Sequence, residues 1–415
     1  MTVDRNEALE LHRKAKGKIK LSPNVSVRNK RDISLAYIQG GAVASAEILR
    51  EKELVYDYTG KSNRLAIVSN GTSVLGLGDY GPEAALPMIE GKSLLYKHFG
   101  DVDAIPLCIK SNDMDEIMSF CRLLEPSFGA INIEDVKSPI DFDLVKRLRK
   151  ELEIPIFGDD MHCSSVVILG SLINALKVVD KEISSVKIVI VGAGTSAVAT
   201  AELMLYAGAT NVVMLNRRGI IHEDMDDLNG VQRFILDRLN PEGIRGGIKE
   251  AAKDADILIG LTGKVGAFGI DDVASMAPRS IVFPLSRPEP EMDPEEAKAA
   301  GAEVVGCGLI EGPNTMPNLK VFPGITRGLL DVRATGLNFN VQMEAAKEYA
   351  ANVDPRRIRA DHITPFIFSD ELTPRIAEAV AQSCIREGLA RISPAPQEVF
   401  ENTWKRLYGG YIARF

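Results

Sequence analysis

At 415 residues the chain exceeds what one ordinary hydrophobic core holds, so two domains are expected. Its 45% apolar and 26% charged residues are the balance of a soluble globular protein, and a net charge of −8 argues against a general binder of nucleic acid or anionic membrane. The first residues (Asp4, Arg5, Glu7, Glu10, His12, Arg13, Lys14) are charged and hold no apolar core, so no secretory signal is expected. No apolar run is expected to span a membrane, the one after Asp160 being interrupted by Asn174 and Lys177. Cys108, Cys121, Cys163, Cys307 and Cys384 lack any CxxC or zinc spacing and read as free thiols of a cytoplasmic protein.

In chain order, residues 5–16 carry a charged helical pattern suited to the surface. Asp32 to Gly41 is a short apolar stretch ending in paired glycines, which allow close backbone approach. Tyr37, just before them, either presents a phenol or simply packs. Asn63 to Ser69 reads as a strand. A loop with glycines at 71, 76, 78 and 81 follows it and suits tight turns around an anion, or close packing. Residues 84–97 read as a helix interrupted near Gly91. Within it Lys92 lies among Ile89, Leu94 and Leu95, where partial desolvation would lower its pKa toward that of a base, unless the ammonium snorkels to water.

From 103 to 157 strand and helix alternate, with strands at 104–109, 130–133 and 154–157, which is a parallel α/β layout with ligands at the strands' C-terminal ends. Glu134-Asp135 and Asp159-Asp160 fall at two of those ends. Acids so placed are costly to bury unless a cation neutralises them, and their oxygens suit Mg²⁺ or Mn²⁺. The alternative is that Asp159 or Asp160 caps the helix that follows.

A second buried strand, from Val186, runs into Gly192-Ala-Gly194-Thr195-Ser196-Ala197 and a helix. This is a dinucleotide turn: the first glycine bends the chain, the second admits the pyrophosphate, and the small Ala197 lets helix and strand pack. The next strand ends in Asn216, where an NAD site usually carries an acid, followed by Arg217 and Arg218. This favours NADP over NAD, unless both arginines point to solvent. Strands ending before Thr262 and Ser286-Arg287 would line the nicotinamide crevice. Beyond Phe322 the chain reads as mainly helical.

These motifs together resemble the short, prokaryotic-type malic enzymes from about residue 17 to 392. The resemblance is carried by Ser34-Leu-Ala-Tyr37, Val68-Ser-Asn-Gly-Thr-Ser-Val-Leu-Gly-Leu-Gly78, Glu90-Gly-Lys92, Asn132-Ile-Glu-Asp135, Ile154-Pro-Ile-Phe157, Asp159-Asp160, Gly192-Ala-Gly194 and Val321-Phe-Pro-Gly324. It implies Lys92 as the base on the substrate hydroxyl and Tyr37 as the acid that protonates the enol carbon. It also implies Asp159 as the acid that orients the lysine, and Glu134, Asp135 and Asp160 as ligands of Mg²⁺ or Mn²⁺. The family's substrate loops correspond to Arg287, where the family has asparagine, and to the segment 308–318, which keeps Asn314 and Asn318 but has Leu309 in place of an arginine.

The expected fold is α/β. An N-terminal α/β catalytic and metal-binding domain (1–165) precedes a Rossmann-type NAD(P)-binding domain (166–340), and C-terminal helices (341–415) pack back on the first. The implied protein is a homodimer that decarboxylates malate, or a substituted 2-hydroxy acid, oxidatively. The rivals are a redox-neutral malolactic reaction and a non-catalytic dinucleotide-binding regulator.

Overall fold

The computed structural model describes residues 4–74 and 78–409; Gly76 of the glycine loop lies outside them. β1 (Arg64–Ser69), β2 (Asp103–Cys108), β3 (Ala130–Ile133) and β4 (Ile156–Gly158) form a parallel sheet in the order β2-β1-β3-β4. β1 and β3 are rich in apolar residues and mostly buried on both faces, as strands sandwiched between helices must be, while β2 at the edge is mostly half-buried. The first strand lies inside the sheet with successors on both sides. The order therefore reverses between β1 and β3, which opens a crevice at their C-terminal ends.

A second sheet holds β5 (Lys187–Val191), β6 (Asn211–Asn216), β7 (Gly219–Ile220), β8 (Ile257–Gly260), β9 (Ile281–Pro284) and β10 (Val304–Val305). Its order is β10-β9-β8-β5-β6-β7, parallel except for β7. Here the order reverses between β5 and β8.

The sheets are joined through helices. α1 (Gly81–Gly100) follows the glycine loop, α2 (Ser164–Val179) connects the sheets, and α3 (Thr195–Tyr206) follows β5. α4 (Phe322–Asp331), α5 (Phe339–Ala351), α6 (Leu372–Arg386) and α7 (Glu398–Tyr408) close the chain. α4 packs on α1 and α6, α5 on α2 and α6, and α7 on α6 and α1, so the C-terminal helices reach the flank of the first sheet. One apolar cluster runs from Leu65 through Val166, Leu169 and Leu172 of α2 to Ile190, Phe322 and Ile376. Arg327 of α4 is wholly buried; it pairs with Asp331 at 2.7 Å and donates to Asn63 before β1.

Two expectations are corrected. The segment Asp159–Val179 is long and apolar enough to cross a membrane, but most of it is buried as core. Helix α1 runs through Gly91 without a break, because Gly91 lacks only a side chain and the helix carries its turns on either side. The stretch from Asp32 to Gly41 is helical, with a π turn at Ser34–Ile38, and a Cβ on Gly40 would sit 1.8 Å from the Leu35 carbonyl oxygen. The glycine thus serves its own helix, where the π turn brings backbone against backbone.

Candidate active site

The C-terminal end of β3 delivers Asn132 and Glu134. Asp135 then takes a left-handed conformation (φ 50°), which turns the chain away from the sheet. The end of β4 delivers Asp159 and Asp160, which open a π turn (Asp159–Cys163) leading into α2. Neither aspartate caps that helix: no side-chain cap bond is made at either start. Their carboxylates instead face the crevice. One oxygen each from Glu134, Asp135 and Asp160 lies within 4.8 Å of the other two, a spacing that an oxygen-seeking divalent cation can bridge.

Lys92 reaches into this cluster from the buried side of α1. Its Nζ donates to Asp159 Oδ2 at 2.6 Å and to Glu134, and it lies 5.3 Å from the centre of the Phe322 ring. Burial alone would lower the pKa of this ammonium. Asp159, Glu134 and Asp160 outweigh burial and hold the pKa above lysine's ordinary value. The lowered pKa expected from the sequence is therefore reversed here, because neighbouring residues supply carboxylates as well as apolar walls.

Glu134 shows the strain of the arrangement. Burial, then Asp159, Asp160 and Asp135, push its carboxyl up to about 8 against the opposing pull of Lys92. Three carboxylates act on one ammonium, and the Glu134, Asp135 and Asp160 donor set, all hard oxygens, fits Mg²⁺ or Mn²⁺.

Asn132 braces the two strand ends: its amide donates to Glu134 at 2.9 Å, and its oxygen accepts the Asp159 N–H at 3.1 Å. Asn318 donates to Asp159 Oδ2, beside Lys92. His162 is buried with Nδ1 3.0 Å from the Gly158 carbonyl oxygen. Burial, followed by the charge of Arg149, keeps its pKa well below normal, so it stays neutral.

In the second sheet Gly192 has φ 126°, and a Cβ there would lie 2.3 Å from the Leu261 carbonyl oxygen, so the turn after β5 admits only glycine. A Cβ on Gly194 would meet nothing within 4 Å, which leaves open space before the uncapped N-terminus of α3. That opening fits a pyrophosphate. Thr195 turns its hydroxyl the other way, to Ser138 and Asp141 of the first domain, both at 2.8 Å. Ser196 and Ala197 continue the helix, with Ala197 buried against the sheet.

A model of the malic enzyme N-terminal domain matches residues 24–149, and one of the malic enzyme NAD binding domain matches residues 161–385. This chain belongs to the malic enzyme family. It is 42% identical to the bifunctional malic/malolactic enzyme of Bacillus subtilis (strain 168) over 402 residues, which is 97% of this chain and 98% of the relative. The NAD-dependent malic enzyme of Geobacillus stearothermophilus is 38% identical, over 92% of this chain and 79% of its own length. The crystal structure of malic enzyme from Pyrococcus horikoshii OT3 superimposes with a TM-score of 0.93 at 40% identity, covering 99% of this chain and 98% of that one.

Within this malic enzyme fold the other sequence-predicted residues lie in varied settings. Asn216 accepts the Arg218 N–H at 2.8 Å, and Arg218 pairs with Asp227 at 2.5 Å and Asp226 at 3.3 Å; both arginines are exposed, and Arg217 lies outside these ion pairs. Thr262 directs both its N–H and its hydroxyl to Glu291. Arg287 is half-buried after β9.

Asn314, expected in the substrate loop, braces neighbouring backbone in this structure. Its amide donates to the Val305 and Ala360 carbonyls at 2.9 and 2.7 Å, and its oxygen accepts the Ile363 N–H at 2.8 Å. Tyr37 is 78% exposed on a helical segment, residues 30–50, that buries none of its side chains in this chain. The same chain's Lys92 cluster does not include it. Asn132, Asp141 and Glu291 escaped the sequence reading. The signal for Asn132 was available: an amide in the middle of an otherwise apolar, fully buried strand.

Proposed function

We propose that this malic enzyme oxidises and decarboxylates malate to pyruvate and CO₂ with reduction of NAD(P), as a cytoplasmic homodimer holding Mg²⁺ or Mn²⁺ at Glu134, Asp135 and Asp160. The observation that carries this reading is Lys92, clamped between Glu134 and Asp159 at the edge of the three-carboxylate cluster. When bound, the cation supplies Lewis-acid polarisation of the C2 oxygen and charge stabilisation for the enolate, and the dinucleotide accepts the C2 hydride.

The residues of the chain do the rest. Lys92 Nζ takes the C2 hydroxyl proton, for which it must first be neutral. A cation held by Glu134, Asp135 and Asp160 would supply positive charge beside this ammonium and so would favour its neutral form. Asp159, steadied by Asn318 and by Asn132 through its N–H, keeps the amine aimed. Arg287 provides a counter-charge for a malate carboxylate, offsetting the arginine replaced by Leu309. The Tyr37 hydroxyl delivers the proton to C3 of the enol.

Tyr37 acts across the dimer. A helical segment with no buried residue and with Leu35, Tyr37, Ile38 and Val43 each more than 60% exposed needs an apolar cover. A twofold partner supplies that cover and receives the phenol in its own site. Mixing Tyr37→Phe and Lys92→Ala subunits, refolded together at equal amounts, is expected to restore about a quarter of wild-type activity: half the dimers are mixed, and each has one intact site. Absence of any restoration once mixed dimers are shown to form would place the phenol in its own subunit's site instead.

Arg217, outside the ion pairs that Arg218 makes with Asp226 and Asp227, favours NADP by pairing with its 2′-phosphate. The deciding experiment incubates the protein with Mn²⁺, malate and either dinucleotide, following malate, CO₂ and reduced nicotinamide. One reduced nicotinamide per malate is expected, with a lower KM for NADP that Arg217→Ala brings level with NAD. The Bacillus subtilis relative is named for both malic and malolactic activity, which motivates the second reading: lactate formed without net reduced nicotinamide would establish it for this chain. No turnover of malate with either dinucleotide would reject both.

A further inference from the structure

Glu291 is 0% exposed, yet no lysine or arginine neutralises it among the hydrogen bonds it makes. Its charge is met by donors alone. Oε1 accepts the Thr262 N–H at 2.9 Å and the Thr262 hydroxyl at 3.0 Å, and it also accepts the Ser286 hydroxyl; Oε2 accepts the Ser286 N–H at 3.0 Å. The Ser286 oxygen in turn accepts the Gly263 N–H at 2.7 Å, and the Gly266 N–H donates to the Glu291 carbonyl at 2.7 Å. Space for the carboxylate is made by Gly260, the last residue of β8, where a Cβ would sit 2.5 Å from the Glu291 carboxyl carbon.

The loops gathered this way are the two that follow β8 and β9. The first lies against the Gly192 turn at the point where the strand order reverses, which is where a dinucleotide enters an open α/β sheet. The second carries Arg287. We propose that Glu291 is a positioning residue: it locks the dinucleotide-facing Thr262 loop to the substrate-facing Arg287 loop, so that cofactor and malate meet in one fixed geometry. This rests on the malic enzyme reading of the crevice.

A carboxylate suits the role because it accepts from all four donors at once. A glutamine of the same shape has one acceptor oxygen and turns an NH₂ toward hydrogens that need an acceptor. Glu291→Gln is therefore expected to leave at least one buried donor unpaired and to splay the loops.

The test measures three quantities on wild type and on Glu291→Gln: the Kd for NAD(P)H by its fluorescence without malate, the KM for malate, and the Kd for Mn²⁺. Dinucleotide Kd and malate KM are each expected to rise roughly tenfold, the scale of one unpaired buried donor, while the Mn²⁺ Kd stays unchanged because the metal cluster lies on the other sheet. Ser286→Ala, which removes only the relaying hydroxyl, is expected to move the same two constants in the same direction by a smaller factor, and it serves alone if Glu291→Gln does not fold. Dinucleotide Kd and malate KM both within twofold of wild type, whatever the change in melting temperature, would overturn the proposal. The NAD(P)H measurement needs no malate, so it judges Glu291 even if malate proves not to be the substrate.

Discussion

Lys92→Ala is expected to lower kcat by about 10³- to 10⁴-fold, the upper range for loss of a positioned general base, while the Kd for NAD(P)H changes less than about twofold. The dinucleotide site is built on the second sheet and does not include Lys92, so the two readouts separate chemistry from cofactor binding. Alanine also strips Glu134 and Asp159 of their shared cation, and a partial loss could then reflect a collapsed cluster. Lys92→Arg removes that ambiguity. The guanidinium keeps a positive charge beside both acids but cannot give up its proton near neutral pH, so it preserves the ion pairs and still fails as a base. Steady-state kinetics on both variants decide the matter. An arginine variant retaining more than about a tenth of the wild-type kcat would show that Lys92 supplies charge and not proton transfer.

The second large effect concerns the cation and its dependence on pH. Burial and three neighbouring acids push Glu134 up to about 8, so near neutral pH a proton competes with a cation for this carboxyl. The sign follows directly. A folded-state pKa of about 8 lies above the ordinary carboxyl value of 4.5, so this group's contribution to stability is full below about 4.5 and is lost as pH rises through about 8. Bound Mn²⁺ reverses that loss, because it needs the ionised form. Mn²⁺ affinity is therefore expected to climb about tenfold per pH unit below about 8 and to level off above it, with a proton released on binding.

Asp160→Asn removes one ligand oxygen's charge and is expected to raise the Mn²⁺ Kd about 100-fold or more, since loss of even an outer partner commonly reaches that scale. It also removes one of the acids that push Glu134 up, so the bend in the pH profile should move to lower pH. Isothermal titration of Mn²⁺ between pH 6 and 8.5 measures both effects. A flat profile, or an asparagine variant with unchanged affinity, would contradict the assignment of the cluster to a divalent ion.

Much of the fold was legible because the signals are local. The alternation of apolar strands with helical spacing gave both parallel sheets, and the Gly192-Ala-Gly194 turn carries its reason within a few residues: a positive φ at Gly192 and open space before Gly194. That Glu134-Asp135 and Asp159-Asp160 fall at strand ends followed from the same short-range pattern. Partner choice was not legible from spacing, although the family resemblance implied Asp159 for Lys92. Asp159 could equally have capped the next helix by sequence, and only the approach of Lys92, 67 residues earlier, and Asn318, 159 residues later, decides otherwise.

The same holds elsewhere. Arg217 and Arg218 look alike in sequence, yet the loop that folds back brings Asp226 and Asp227 to Arg218. The setting of Asn314 is likewise fixed from afar, where the 360–363 segment returns to take up its amide. Sequence alone determined which segments build the two sheets and that the turn after β5 demands glycine, because those depend on backbone sterics and on apolar residues a few positions apart. Tertiary structure alone decided the direction in which Lys92 titrates and which guanidinium pairs with Asp226 and Asp227. An electrostatic balance depends on distances between segments remote in sequence, and no spacing along the chain encodes them.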